Sequence, residues 1–246
     1  MFFGSVGCSF TRGERLFYHR YVDSPHTDRA NIPIFGQLED VNHMKIATVQ
    51  DNRFMLDHTA VGLLSKKLNC DYLHQSGDNF GNYETLSEWI DLTNKTERKL
   101  DFIIWQLTDP QRDLDDNSLF WSKLNSISTS LEEKEKLLHH LEVEIPEKTI
   151  GHITELDKKC KENDIDLFVW SWQDEIAKLI KNKDYFVKLI HGKEWYRSFK
   201  HIEKVNKLKV SLNKIFNTED AHPNKFFNEM LYNSLLIKLR QRGYEV

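Results

Sequence analysis

The chain has 246 residues, and its 34 Lys and Arg residues against 38 Asp and Glu residues give a formal net charge of −4. This length favours one domain or at most two, and the near-neutral charge argues against a basic nucleic-acid-binding surface. The three cysteines are widely spaced and form no CxxC pair, which argues against a disulfide framework and a cysteine-rich zinc site.

The N-terminus carries no recognisable targeting signal. Its first ten residues, MFFGSVGCSF, lack the basic region and the long apolar region of a signal peptide. No apolar run approaches the roughly 20 residues that a membrane-spanning helix needs. We therefore expect a cytoplasmic protein whose partners include neither a membrane nor a nucleic acid.

Four short apolar segments predict buried strands. They cover residues 2–6, 71–75, 101–107 and 165–172, and their continuous apolar character is typical of a parallel sheet covered on both faces. Residues 185–190 are a weaker candidate for a fifth strand.

Helical patterns lie between these strands. Apolar residues recur at helical spacing in residues 54–68, 148–163 and 225–242. Strand and helix therefore alternate along the chain. This alternation predicts an α/β fold, namely a doubly wound, flavodoxin-like parallel sheet of about five strands flanked by helices.

Three stretches exceed this minimal unit and are interpreted as insertions. They cover about residues 17–53, 114–146 and 174–216; the first is polar and rich in His, and the other two carry helical patterns. No internal repeat or low-complexity linker divides the chain, so we interpret residues 1–246 as one domain. The first insertion could cover a site at the end of the first strand, where it would influence specificity.

The first motif directly follows the first strand. Residues 7–14, GCSFTRGE, place Ser9 beyond a strand's carboxyl end, which is where ligands bind in a doubly wound sheet. A Ser hydroxyl there can lie beside free backbone N–H groups, which suits a nucleophile. Because Ser is also a preferred helix N-cap, the segment alone leaves a capping role open.

The second motif follows the second strand. Residues 76–83, SGDNFGNY, contain Gly77 and Gly81, which permit a tight turn, and Asn79 and Asn82, whose side chains can donate hydrogen bonds. Backbone and amide donors aimed at one point form an oxyanion hole. An ordinary Gly/Asn turn is the alternative interpretation.

The third motif precedes the last predicted helix. In residues 218–224, TEDAHPN, Asp220 lies two residues before His222 and could orient its imidazole and stabilise the charged form. Pro223 would fix the chain at the helix entry. A solvated Asp/His turn is the alternative.

Together the three motifs resemble the conserved blocks of the SGNH (GDSL-type) hydrolases. In this resemblance GCSFTRGE is similar to the nucleophile block and implies Ser9 as nucleophile. SGDNFGNYETL is similar to the second block and implies Gly77, or alternatively Gly81, as an oxyanion-hole donor. DAHPN is similar to the last block and implies Asp220 and His222 as the rest of a catalytic triad. The insertions have no counterpart in this pattern.

Two positions depart from the family pattern. The third block of the family ends its strand with an Asn that donates to the oxyanion, and Thr108 stands there in this chain. Asn79, Asn82 or Gln106 could supply the missing amide. Loss of one such donor typically lowers the rate by roughly 10²–10³.

The second departure concerns the carboxylate. Its usual position is three residues before the His, where this chain has Glu219, whereas Asp220 lies two residues before it. The DxHPN sequence favours Asp220, and Glu219 stays open.

These features predict an esterase that cleaves a small acyl ester, for example an O-acetyl group on a carbohydrate, with no cofactor and no metal. The oxyanion hole would consist of Gly77 and Asn79, and the triad of Ser9, Asp220 and His222. The alternative is a non-catalytic module that binds a glycan or a protein. The sequence does not indicate the oligomeric state. No recognisable ligand spacing supports a metal site among the His and Asp residues near the first insertion, which are His19, His26, His43, His58, Asp23, Asp28, Asp40 and Asp57.

Overall fold

The computed structural model describes residues 1–7, 57–76, 83–107, 117–172, 174–189 and 225–246. Within these ranges four parallel strands form one sheet in the order β2-β1-β3-β4. This is the strand order of the flavodoxin-like doubly wound fold, so the predicted fold class is confirmed. The strand ends lie within one residue of the predicted ends. The strands are β1 (Phe3–Gly7), β2 (Tyr72–Ser76), β3 (Phe102–Leu107) and β4 (Asp166–Ser171).

Seven α-helices lie within the same ranges. The predicted helices at 148–163 and 225–242 are confirmed, and the described part of the helix predicted at 54–68 contains α1. The α-helices are α1 (Ala60–Leu68), α2 (Tyr83–Thr93), α3 (Asn117–Asn125), α4 (Leu131–His139), α5 (Ile145–Glu162), α6 (Asp174–Ile180) and α7 (Lys225–Gln241).

One face of the sheet is covered by α7, which packs on α1. Phe3 stacks its ring on those of Tyr72 and Phe102, with centroids 5.2 and 4.7 Å apart. Trp170 of β4 lies on this face and contacts the Phe227 ring of α7, with the centroids 6.1 Å apart. Aromatic side chains from adjacent strands thus form the floor on which α7 rests.

The opposite face carries α2 and α5. Gly4 of β1 lies directly beneath the Trp89 indole of α2, since a Cβ built on Gly4 would lie 3.1 Å from Trp89 Cε3. Helix α5 packs on α2 and on β4, and it buries Ile153 and Leu156. Helices on both faces explain why the strands are apolar throughout rather than at every second residue.

The predicted fifth strand is reduced to a single bridge in the described structure. Val169 of β4 donates its N–H to Tyr185 O at 2.9 Å and accepts from Val187 N at 2.8 Å, which gives one parallel bridge between Val169 and Phe186. The segment lies beside β4, the position that a fifth strand takes in this fold. The last residue of the predicted strand, Ile190, lies outside the described residues.

The insertion predicted at about 114–146 contains α3, α4 and a π-helical turn, His140–Glu144, that leads into α5. In this turn the Ile145 N–H donates to His140 O, five residues back. Pro146 follows at once, and proline has no N–H and its ring crowds the carbonyl four residues back. A widened turn relieves this crowding, which accounts for the π geometry at this point.

None of the helices in the described ranges combines the length and the apolar character that crossing a bilayer requires.

A polar cluster fixes the C-terminal residues to the amino ends of β3 and β4. The Tyr244 hydroxyl lies 2.9 Å from Asp166 Oδ2 and 3.0 Å from Asp101 O. Arg242 lies 2.6 Å from Asp184 and 3.5 Å from Asp166. Burial, followed by the hydrogen bond to Asp166, raises the pKa of the Tyr244 phenol.

The close approach at Gly4 predicts opposite effects for two glycine substitutions. Gly4→Ala should lower the free energy of unfolding by about 1–3 kcal/mol, because its Cβ forces Trp89 to move. Gly151→Ala is the matched control: it lies in α5 with no atom within 4 Å of the added Cβ, and should raise stability by about 0.5–1 kcal/mol. Urea unfolding measures both, and a Gly4→Ala protein as stable as wild type would contradict this packing.

Tyr244→Phe should lower the free energy of unfolding at pH 7 by about 1–2 kcal/mol, since it removes a hydrogen bond to a carboxylate. The raised pKa of Tyr244 has a second consequence. The unfolded chain ionises near pH 10 while the folded state keeps its proton, so this contribution is complete below pH 10 and falls as the pH rises further.

Between pH 8 and 11, the free energy of unfolding should therefore decline less steeply with pH in Tyr244→Phe than in wild type. Tyr83→Phe is the comparison, because burial and the hydrogen bond to Glu155 raise the pKa of the Tyr83 phenol in the same direction but less than that of Tyr244, so its pH slope should change less. Equal pH slopes in wild type and Tyr244→Phe would show that folding does not raise the pKa of the Tyr244 phenol.

Candidate functional site

The carboxyl ends of β1 and β3 lie side by side, and the chain leaves them toward opposite sides of the sheet. From β1 the chain continues to β2 on one side, and from β3 it continues to β4 on the other. Gly7 is paired with Ser76, and Leu107 is paired with Ser171, so the four strands end within one residue of the same level. Such a topological switch point is where doubly wound sheets bind ligands.

The predicted catalytic and oxyanion-hole residues, Ser9, Gly77, Asn79, Asp220 and His222, all lie outside the described residues. The same holds for Thr108 and Glu219. The structure therefore describes the elements from which these residues extend, and their own geometry stays a prediction.

Those elements meet at the switch point. Ser9 is two residues beyond Gly7, the last residue of β1, and Gly77 directly follows Ser76, the paired last residue of β2. His222 lies three residues before Lys225, the first residue of α7. The three motifs that resemble one catalytic site are thus attached to neighbouring strand ends and to a helix that covers them.

Helix α7 begins at this edge and ends at the opposite one. Near its start Phe227 contacts Trp170, the penultimate residue of β4, and beyond its end Tyr244 bonds Asp166, the first residue of β4. Helix α1 begins at the same edge, because Asn228 Oδ1 in the first turn of α7 accepts a hydrogen bond from Ala60 N at 3.0 Å. The positive ends of both helix dipoles therefore lie at the carboxyl edge, where they favour negative charge.

The start of α1 is defined by its cap. The Thr59 side chain accepts a hydrogen bond from Gly62 N at 3.0 Å, while its backbone is extended with φ −70° and ψ 157°. This extended conformation interrupts the helical geometry at Thr59, between the helical residues Asp57 and His58 and helix α1, which begins at Ala60. The predicted start at residue 54 lies outside the described residues.

Two buried polar side chains lie directly below the edge. Gln106 and Ser171 are both fully buried, and the Ser171 hydroxyl donates to Leu107 O at 3.3 Å. Gln106 was one candidate for the amide that Thr108 does not supply. Its burial places this amide inside the protein, away from solvent.

The described cysteines carry free thiols unsuited to nucleophilic chemistry. Cys160 is fully buried, and burial raises the pKa of its thiol to about 12. Burial also raises the pKa of Cys70. A thiol is nucleophilic only as the thiolate, so neither competes with a serine nucleophile at neutral pH. Cys8, the neighbour of Ser9, lies outside the described residues.

Of the residues considered for a metal site near the first insertion, only Asp57 and His58 are described. Asp57 forms an ion pair with Lys66 at 3.4 Å. Across the described ranges no three His, Cys, Asp or Glu side chains come together in a metal-binding arrangement.

Sequence reasoning missed the buried Asn228. Its position contained a usable signal, because Asn228 lies three residues before Leu231 and seven before Leu235, on the apolar face of α7. A lone amide on an otherwise apolar helix face requires a specific partner. The sequence does not reveal that this partner is the first N–H of α1.

Comparisons with known proteins leave the family open. No family model and no curated protein matches this chain. A solved structure of a protein assigned to the lipolytic G-D-S-L family of Desulfitobacterium hafniense DCB-2 is similar over 97% of this chain and 99% of that chain, with 10% sequence identity and a TM-score of 0.40. None of these results assigns a family or an activity to this chain.

Proposed function

We propose that this protein is a serine ester hydrolase whose active site lies at the carboxyl edge of β1. The observation that carries the proposal is that β1 ends at Gly7 at the topological switch point, since Ser9 follows Gly7 by two residues along the chain. The paired strand end, Ser76, leads directly into Gly77. A nucleophile and an oxyanion donor on adjacent strand ends are two of the groups that acyl transfer uses.

In this mechanism the Ser9 hydroxyl oxygen attacks the ester carbonyl while His222 accepts the hydroxyl proton. Backbone N–H groups of Ser9 and Gly77, with the Asn79 amide, hold the tetrahedral oxyanion. His222 then protonates the leaving alcohol, and a water molecule, activated by the same imidazole, releases the acyl group. Asp220 orients the imidazole and stabilises its charged form. The cycle uses no cofactor and no metal.

The described residues support this mechanism through electrostatics. Helices α1 and α7 both point their N-termini toward the carboxyl edge, as the Asn228–Ala60 hydrogen bond shows. Their partial positive charges stabilise the negatively charged oxyanion more than the neutral ester. This preference would lower the activation barrier of the proposed reaction.

The proposed substrate is a small acyl ester, with an O-acetylated carbohydrate as one candidate. The tryptophans nearest the strand ends, Trp105, Trp170 and Trp172, are at most 5% exposed and therefore belong to the core. A sugar-binding platform would have to come from other residues.

Ser9→Ala should abolish labelling by a fluorophosphonate probe and lower hydrolysis of p-nitrophenyl acetate by at least about 10⁴-fold, since it removes the nucleophile. His222→Ala should have the same effect. Cys8→Ala is the matched control, because it changes the adjacent residue and should leave labelling intact. Equal labelling of wild type and Ser9→Ala, or loss of labelling only in Cys8→Ala, would refute the assignment.

The carboxylate is identified by a paired comparison of Asp220→Ala and Glu219→Ala. We expect the Asp220 variant to lose about 10²–10⁴-fold in kcat/KM, because the imidazole loses its orienting partner, and the Glu219 variant to stay near wild type. The reverse ranking would transfer the role to Glu219.

Thr108 favours a second candidate function, a non-catalytic module that binds a glycan or a protein. Thr108 stands where the resembled family has an oxyanion-donating Asn, and such a loss weakens catalysis. A folded protein that is neither labelled by the probe nor active on a panel of acyl esters would favour this second function.

A further inference from the structure

Asn228 is a polar residue in an apolar setting. It lies in the first turn of α7, is only 2% exposed, and shares its helix face with Leu231 and Leu235. Burying an amide is unfavourable unless it is hydrogen-bonded, and an apolar side chain would pack there at lower cost. The residue therefore points to a geometric role.

The hydrogen bond of Asn228 joins two elements that are far apart in sequence. Its Oδ1 accepts from Ala60 N at 3.0 Å, across 168 positions of the chain. Ala60 is the first residue of α1, and its N–H has no partner inside that helix. The bond therefore ties the start of α7 to the start of α1 at the carboxyl edge of the sheet.

The first turn of α7 is held from a second direction by the neighbouring residue. The Phe227 ring contacts Trp170 of β4, whereas Asn228 contacts α1. Two contacts in different directions fix both the position and the rotation of this turn. His222 precedes Asn228 by six residues, so a shift of the turn moves the chain segment from which His222 extends.

We infer that Asn228 is a positioning residue: its hydrogen bond to Ala60 N–H fixes the start of α7 and thereby sets the position of His222 relative to Ser9. The inference rests on the proposed serine hydrolase function. Displacement of a catalytic group by about 1 Å can cost roughly 10²-fold in rate, so one such contact is enough to matter.

The bond can be broken from either side. Asn228→Leu keeps the approximate size and removes the acceptor. Ala60→Pro removes the donor: the backbone suits proline, because Ala60 is the first helical residue and Thr59 is already extended, and the ring takes the place of the N–H that faces Asn228 Oδ1. Asn228→Asp keeps the acceptor and adds a negative charge. Ser234→Ala is the matched control, since it removes a buried hydroxyl that bonds Met230 O within α7 itself.

The readout is the rate constant of fluorophosphonate labelling from pH 5 to 9, together with kcat and KM, on variants whose folding is verified by circular dichroism. We expect Asn228→Leu and Ala60→Pro to lower the labelling rate and kcat at least tenfold with little change in KM. Ser234→Ala should label at the wild-type rate. Asn228→Asp should keep a labelling rate within about threefold of wild type, because its carboxylate still accepts the Ala60 N–H at the positive end of α1.

Wild-type rates in both Asn228→Leu and Ala60→Pro, or an equal loss in Ser234→Ala, would overturn the positioning role while leaving the hydrolase function in place. If neither bond-breaking variant folds, Asn228→Asp decides, since it keeps the acceptor, and a labelling rate more than threefold below wild type overturns the inference. Failure of the wild-type protein to label would refute the hydrolase function, and the positioning role with it.

Discussion

Strand β1 is hydrogen-bonded to β2 along one edge and to β3 along the other. Its register with these strands determines how the helices pack on the sheet. Phe3 stacks between Tyr72 and Phe102, and Gly4 leaves room for the Trp89 indole of α2. The same register brings Gly7 level with Ser76. A one-residue slip would invert the faces of β1, moving the Phe3 ring to the side where even a Cβ would lie 3.1 Å from the Trp89 indole. The packing that stabilises the sheet therefore also sets the level from which the two proposed site loops begin.

Helix α7 connects the two edges of this sheet. At the carboxyl edge, Phe227 and Asn228 fix its first turn to β4 and to α1. At the amino edge, Arg242 and Tyr244 bind the carboxylate of Asp166. Because both ends are held, the chain segment before α7 joins the described structure at a fixed point.

The sequence predicted the sheet well because each strand is a continuous apolar run bounded by polar residues, a pattern that depends only on local burial. Other features depended on contacts that no local pattern contains. The start of α1 is set by the Thr59 cap, and the π turn by the position of Pro146 within a helical segment. Asn228 has its partner 168 residues away. The candidate site was predicted from three short motifs, and the structure locates the strand ends and the helix to which those motifs are attached.

The central claim is that Ser9 and His222 meet beside Gly77 at the switch point between β1 and β3. A crystal structure of the protein after reaction with a fluorophosphonate tests it most directly. The expected result is a phosphorus atom bonded to Ser9 Oγ. The phosphoryl oxygen should lie within about 3.1 Å of the Gly77 nitrogen, and a ring nitrogen of His222 within about 3.2 Å of Ser9 Oγ. An adduct on another residue, or a His222 ring that no rotamer brings to Ser9, would contradict it.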